Sequence, residues 1–521
     1  MTRCRLPIGI QDFRTLREQG CYYVDKTPLI RNLVNNGRFY FLSRPRRFGK
    51  SLLLETIRSL FECRENLFRG LDIHGHWDWS TPHPVVRLSF GGTYNDPGEI
   101  EGDVIEQLEA SERRHGLMPA SAFNTGPRRL RSVLDRLHSS TGRSVVVLVD
   151  EYDKPILDAL HDKGLAAANR DYLRGLYGII KDCAEHIRFV FVTGVSMFTK
   201  VNLFSGLNNL KDISLDPRYA TICGYTEKDL GRVFGPELDG LEREEIRTWY
   251  NGYHWRGGVR VYNPYDVLLL FDGREFHPYW FETGSPTFLF RMLAEKSVGL
   301  MELENRMAEK SLVSKLDVND IGIEALLFQT GYLTITEEVK EGYRTFYRLD
   351  YPNLEVRLSL NDRFLGHLGK TGKERLDECK ALCALLETRD FEQFGKRLRS
   401  YLSGVPYQWH AKGDLARHEA WYASLLHMCF RSIGVDVRVE DVSSHGRADM
   451  VVLTGGQVFA LEFKMADGKS DADAALDAAI MQLRQRGYAR KYRGRGEPIH
   501  LIGVVCGREV RNLLAIRAEP D

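Results

Sequence analysis

Three residues near the C-terminus have the types and spacing for metal-assisted hydrolysis: Asp449, Glu462 and Lys464. The apolar runs Met450–Leu453 and Val458–Leu461 flank Gly455-Gly456, a dipeptide suited to a two-residue hairpin turn. In that register Leu453 faces Val458, and Asp449 falls opposite Glu462. Directly opposed residues hold their Cβ atoms roughly 4.5–5.5 Å apart, where like charges repel. A cation would turn that repulsion into a reason for the pairing. Lys464 follows Glu462 by two residues, so the strand period points both to one face. The plain alternative is a salt bridge guarding an edge strand, for which Glu-x-Lys is common.

A second set lies in the N-terminal third. Ser43-Arg-Pro-Arg-Arg-Phe-Gly-Lys-Ser51 follows a short apolar strand, Phe39–Leu42, and precedes an amphipathic helix from Leu52 to about Phe61. Strand, loop, Gly-Lys-Ser and helix are the parts of a Walker A phosphate loop. Backbone N–H groups across Arg46, Arg47, Phe48 and Gly49 would cradle phosphates, Lys50 would reach the terminal phosphates, and Ser51 would ligate Mg²⁺. Arg44 stands where the first glycine of that motif is usual. Downstream, Ser144–Val149 reads as a strand buried on both faces and ends in Asp150-Glu151. Asp150 is expected to hold Mg²⁺ through water and Glu151 to orient or activate the attacking water. A third strand, Ile187–Val192, ends at Thr193, whose hydroxyl can sense the γ-phosphate or simply open a Thr-Gly turn. Arg46, Arg47, Arg170 and Arg174 are candidates for charge stabilisation, with exposed surface arginine as the alternative.

The elements that position these groups are those of an α/β protein. Asp25-Lys-Thr-Pro reads as a helix start with Thr27 as N-cap, and Gly37 as its left-handed end. At 521 residues the chain suggests two to four domains, and 43% hydrophobic and 27% charged residues are ordinary for a globular protein. A net charge of +1 excludes a global polyelectrolyte role, so nucleic-acid contacts must be local. The N-terminus lacks the apolar core of a signal peptide and no run reaches membrane-spanning length, so a cytoplasmic protein without membrane contact is expected. The nine cysteines have no CxxC pair and read as reduced thiols, Cys379 and Cys383 included.

Gly9-Ile-Gln-Asp-Phe13, Tyr23–Thr27, Arg44–Ser51, Val149–Pro155, Phe204–Leu210, Cys223–Thr226 and Trp249–Tyr253 stand in order. Together they resemble the prokaryotic AAA-ATPase-like proteins whose C-terminus is a PD-(D/E)XK nuclease-superfamily domain. The resemblance spans nearly the whole chain, and it implies that Arg44–Ser51 is a usual form of phosphate loop in that family. It implies an AAA-like ATPase domain over 1–222, a helical lid over 223–345 and a nuclease-like α/β domain over 411–521, while residues 346–410 read as a mostly helical connector. It also implies that Asp449 and Glu462 are divalent-metal ligands and that Lys464 positions or activates the attacking water. Glu419 matches the acid on the preceding helix, and Gln482 the glutamine on the helix that follows. Mg²⁺ suits two carboxylates completed by water, and Mn²⁺ is a possible substitute.

Two further clusters invite roles. Arg484, Arg486, Arg490 and Lys491, with Tyr488 and Tyr492 interleaved, form a basic and aromatic patch suited to phosphate and base contacts, or else a solvated helix face. Trp249–Trp255 is rich in aromatics and reads as core at a turn in preference to a stacking platform. The expected function is a P-loop ATPase, able to form homo-oligomers, whose ATP state gates phosphodiester hydrolysis in DNA or RNA. The competing functions are a nucleotide-dependent switch or adaptor that only binds nucleic acid or a protein partner, and an ATP-independent nuclease.

Overall fold

The computed structural model describes residues 3–119, 125–160, 162–197, 209–280, 303–310, 322–366, 372–404, 419–443, 446–485, 490–494 and 496–521. The chain divides into two units, Met1–Trp280 with Met307–Glu355, and Phe281–Arg306 with Val356–Asp521.

The first unit is built on a five-stranded sheet in the order β2-β3-β4-β1-β5. Its strands are β1 (Phe39–Ser43), β2 (Val85–Ser89), β3 (Val145–Asp150), β4 (Ile187–Gly194) and β5 (Lys211–Asp212), and every pairing is parallel. All of β1 and β3 is buried, as unbroken apolar strands covered on both faces must be. Register aligns Ser43 with Gly194 and Ser89 with Asp150. The phosphate loop, Asp150-Glu151 and Thr193 therefore share the C-terminal edge, where open parallel sheets bind ligands.

The first long helix, Thr27–Asn36, differs from expectation at both ends. Thr27 is inside the helix, and Asp25 Oδ1 accepts from its amide at 2.9 Å and its hydroxyl at 2.6 Å. The upstream carboxylate takes two donors at once and displaces the threonine as local acceptor. Gly37 is extended, not left-handed, at φ 171°. Its missing side chain makes room for the Tyr40 hydroxyl, which donates to the Leu33 carbonyl at 2.9 Å.

The segment 223–345 is less purely helical than its sequence suggests. Thr226 and Asp229 do form a reciprocal capping box at the start of helix Glu227–Val233. Two three-stranded sheets also occur: β6 (Tyr225–Thr226), β7 (Asn251–Tyr253) and β8 (Val261–Tyr262), then β9 (Arg306–Glu309), β10 (Thr334–Glu341) and β11 (Arg344–Asp350). Strands of two or three residues have no readable period, and β10 buries only its first two residues before turning outward. Tyr250, Tyr253 and Trp255 are buried, and the Phe48 ring meets Tyr253 and Trp255 edge-on at 4.7 and 5.2 Å. The aromatic run is core.

The second unit carries a mixed five-stranded sheet, β12-β13-β14-β15-β16. β12 (Asp436–Ser443), β13 (Gly446–Thr454) and β14 (Gln457–Ala466) are antiparallel neighbours, β15 (Ile499–Gly507) runs parallel to β14, and β16 (Leu513–Pro520) is antiparallel to β15. Helix Lys469–Gln485 packs Ile480 and Leu483 against Val451, Val458 and Leu501. The helices Gly372–Glu387 and Phe391–Ser403, read from sequence as connector, belong to this unit. Arg399 donates to the Leu513 and Leu514 carbonyls of β16, both at 3.0 Å. Cys379 is not a reduced thiol: it forms a disulfide with Cys429, their Cα atoms 5.2 Å apart. The partners lie on different helices 50 residues apart, a pairing no CxxC spacing signals. Among the described residues no helix is long and apolar enough to cross a membrane.

Candidate active sites

In the first unit, Gly49 takes φ 87° and Arg47 φ 67°, and the helix Lys50–Phe61 begins directly behind them. A left-handed arginine is sterically disfavoured and is held here by contacts: its guanidinium lies 3.8 Å from the Tyr265 ring centroid. Arg46 is exposed and Ser51 half-buried at the helix start. Lys50 is buried and folded back on the loop, its Nζ donating to the Arg44 and Pro45 carbonyls at 2.9 and 2.8 Å. Burial holds its pKa below the usual lysine range.

Arg44, the residue in place of a glycine, is fully buried. It donates to the carbonyls of Ser43, Ser214 and Tyr219 at 2.8, 2.9 and 3.2 Å and stacks 4.2 Å from the Trp255 ring centroid. Burial lowers its pKa to about 10. It fastens the start of the loop to the segment after β5.

Asp150 is nearly inaccessible. Its Oδ1 accepts from Thr193 Oγ1 at 2.9 Å and its Oδ2 from Arg87 Nη2 at 3.3 Å. The Thr193 hydroxyl is thus directed at Asp150. Glu151 has φ 53°, and burial followed by the Asp150 charge raises its pKa. Asp153 is buried and accepts from the Ser196 amide at 2.6 Å and the Val195 amide at 3.1 Å, tying the turn after β3 to the turn after β4. Half-buried Arg170 and exposed Arg174 pair with Asp171 at 3.0 and 3.4 Å. Sequence reasoning passed over Asp153 and Arg87. A signal for Arg87 existed, a charged residue inside the apolar run Val85-Val86-Arg87-Leu88.

In the second unit, β13 and β14 pair with Leu453 opposite Val458, and their last aligned pair is Met450 with Leu461. Both turn glycines are left-handed, at φ 56° and 67°. Beyond that last pair, Asp449 Oδ2 accepts from the Phe463 amide at 2.9 Å. Lys464 Nζ donates to Glu462 Oε1 at 2.9 Å and lies 3.8 Å from Oε2 of Glu419, the first residue of helix Glu419–Ser432. Asp449, Glu462, Lys464 and Glu419 are thereby drawn together. Gln482 sits in the last turn of helix Lys469–Gln485, half-buried.

Glu462 is 1% exposed, and its Oε2 has no hydrogen-bond partner. Burial, followed by the Asp449 charge, pushes its pKa up to about 7 despite the Lys464 hydrogen bond. Lys464 shifts upward: burial acts most strongly, to lower it, and the bond to Glu462 together with the charges of Glu462, Glu419 and Asp449 outweighs that. An orphaned buried carboxylate oxygen beside a second carboxylate fits a divalent cation. Among the described residues no three His, Cys, Asp or Glu side chains are grouped so as to hold an ion by themselves, so water would complete such a shell.

The basic patch survives only in part. Arg486 and Tyr488 lie outside the described residues. Arg490 and Lys491 open the short helix Arg490–Arg493. Arg484 is exposed and pairs with Glu519 at 2.5 Å. Tyr492 is corrected: it is 2% exposed, packed with Val451, Leu483 and Leu501, and offers no ring for stacking. Its apolar area fills the space between that helix and the sheet, a gain exposure would forfeit.

Residues 7–204 match the family model described as a predicted AAA-ATPase, and residues 417–515 match the PD-(D/E)XK nuclease superfamily. The chain belongs to the AAA-ATPase-like proteins that carry a C-terminal PD-(D/E)XK nuclease-superfamily domain. It is 48% identical over 521 residues to a protein of Azotobacter chroococcum mcd 1 named "Uncharacterized protein in vnfD 5'region", with 100% of this chain and 99% of that protein covered.

Proposed function

We propose that the chain binds and hydrolyses ATP and that its nucleotide state gates metal-dependent phosphodiester hydrolysis of DNA or RNA by the second unit. The observation that carries the nuclease half is the unpartnered Oε2 of buried Glu462 beside Asp449 and Lys464. Asp449 and Glu462 would hold the cation, which supplies a lowered water pKa and stabilises charge on the scissile phosphate. Lys464, tethered to Glu462 and near Glu419, would orient that water and offset developing negative charge. Arg484, Arg490 and Lys491 remain candidates for backbone phosphate contacts.

In the ATPase half, Lys50 would exchange two loop carbonyls for the terminal phosphates, with Ser51 and water-mediated Asp150 holding Mg²⁺. Glu151, its pKa raised chiefly by burial, is a stronger base than an exposed carboxylate and would orient the attacking water. The closing segment over 223–345 would respond to the nucleotide as a lid. The test is a cleavage assay on single- and double-stranded DNA and RNA with Mg²⁺ or Mn²⁺, with and without ATP. Cleavage of at least one substrate, altered by ATP, is expected. No cleavage under any condition rejects the nuclease reading, and nucleic-acid binding without cleavage would replace it with the adaptor.

A further inference from the structure

A charged residue in the middle of a buried parallel strand needs a partner, and Arg87 on β2 has two. Its Nη2 is 3.3 Å from Asp150 Oδ2 and its Nε is 3.3 Å from Glu55 Oε1. Register explains the first contact. Arg87 aligns with Leu148, and Asp150 lies two residues further along β3, on the same face. The second contact reaches the helix Lys50–Phe61, which crosses that face behind the phosphate loop. Glu55 stands four residues after Ser51, and its Oε2 continues to Arg58 at 3.3 Å, which binds Glu62 at 2.9 Å. One guanidinium thus links the acid at the end of β3 to the helix that presents Lys50 and Ser51.

Asp150 is held from both sides. Thr193 on β4 donates to Oδ1 and Arg87 on β2 donates to Oδ2. Two donors on opposite oxygens fix the carboxylate plane, and each oxygen keeps a further acceptor site. A carboxylate so bracketed is set to receive hydrogen bonds from metal-bound water, not to swing onto the ion itself.

We infer that Arg87 is the positioning residue that aligns Asp150 with the water shell of the nucleotide's magnesium ion. The inference rests on the ATP-binding reading of this site. Without Arg87 the Oδ2 side is released and a buried carboxylate loses its counter-charge. Magnesium engagement weakens, while contacts of the phosphate loop with the nucleotide alone remain.

The experiment measures binding of a fluorescent ATP analogue to the full chain across a magnesium titration, for wild type, Arg87→Ala and Arg87→Lys. In Arg87→Ala the half-saturating magnesium concentration is expected to rise about tenfold, the size typical of losing a partner that orients a metal ligand. Analogue affinity without magnesium is expected to stay within about twofold, since that binding rests on the phosphate loop. Arg87→Lys, which keeps one charged donor, should recover part of the shift, and it serves as the reporter if the alanine variant does not fold. An unchanged magnesium dependence in either variant, or equal loss of affinity with and without magnesium, overturns the inference. No binding by the wild type overturns the ATP reading and this inference with it.

Discussion

The two acidic centres treat their buried carboxylates in opposite ways. Asp150 has both oxygens engaged, by Thr193 and by Arg87, so the protein itself compensates the charge. Glu462 has one oxygen on Lys464 and the other unpartnered, with Asp449 adding repulsion. A buried carboxylate without full compensation favours its protonated form or awaits a cation. Under the proposed function, the difference would separate a site for a metal that arrives with its substrate from one whose own residues bind the metal. Water-mediated and direct ligation need different degrees of freedom in the carboxylate, and the surrounding donors supply them.

The largest expected effects break that contrast outright. Asp449→Ala or Lys464→Ala should lower metal-dependent cleavage by at least ~100-fold, the scale of losing a group that stabilises charge in the transition state. ATP turnover should be essentially unchanged in both, and a variant that still cuts at wild-type rate would remove these residues from the site. Lys50→Ala should lower ATP hydrolysis by roughly 100-fold or more, the scale of losing a charged group that stabilises the phosphoryl group in transfer. Cleavage assayed in parallel then decides gating: a rate indifferent to that variant would uncouple the two activities.

A smaller effect sharpens the comparison through pH. The Glu462 pKa rises from an ordinary 4.5 to about 7 in the fold. Between these values the native state holds a proton that the unfolded chain has released. Its contribution is therefore complete below about pH 4.5 and is lost as pH rises through about 7. The loss is on the order of 3 to 4 kcal/mol, from about 1.4 kcal/mol per unit. Thermal unfolding of cation-free protein should fall over this window, Mg²⁺ or Mn²⁺ should restore it above pH 7, and Glu462→Gln should remove this component. A wild-type profile identical to that of Glu462→Gln would show Glu462 to be compensated already.

The smallest effect concerns the phosphate loop. Tyr265→Leu removes the ring under Arg47 and should destabilise the first unit by about 1 kcal/mol, the range of a partly buried cation–π contact. Denaturant unfolding measures it, and a change below a few tenths would mean that the left-handed Arg47 is held by the backbone alone.

How much of this was legible in the chain varies by element. Strand β3 and the loop that ends in Lys50-Ser51 were readable because an unbroken apolar run and a Gly-Lys-Ser turn are local signals. The helix start was misplaced by one residue: Lys26 is the N-cap, and the Thr27 side chain caps nothing because Asp25 accepts from the Thr27 amide and hydroxyl. The strands of 223–345 were missed because pairs as short as Tyr225–Thr226 with Val261–Tyr262 carry no period. Tyr492 looked like an exposed ring between arginines, and only its packing on Leu483 and Leu501 shows otherwise.

The sequence by itself determined the hairpin. Gly455-Gly456 sets the turn, the turn sets the register, and the register brings Asp449 beside the strand that carries Glu462 and Lys464. Turn chemistry and a period of two act over a few residues and need no other part of the molecule. Tertiary structure alone decided the rest: Lys464 meeting Glu419, Arg87 reaching Asp150, Arg44 buried under Trp255, and Cys379 joined to Cys429. Each of these pairs is separated by tens to hundreds of residues. Their meeting depends on which sheet face and which helix close the core, information that no local stretch contains.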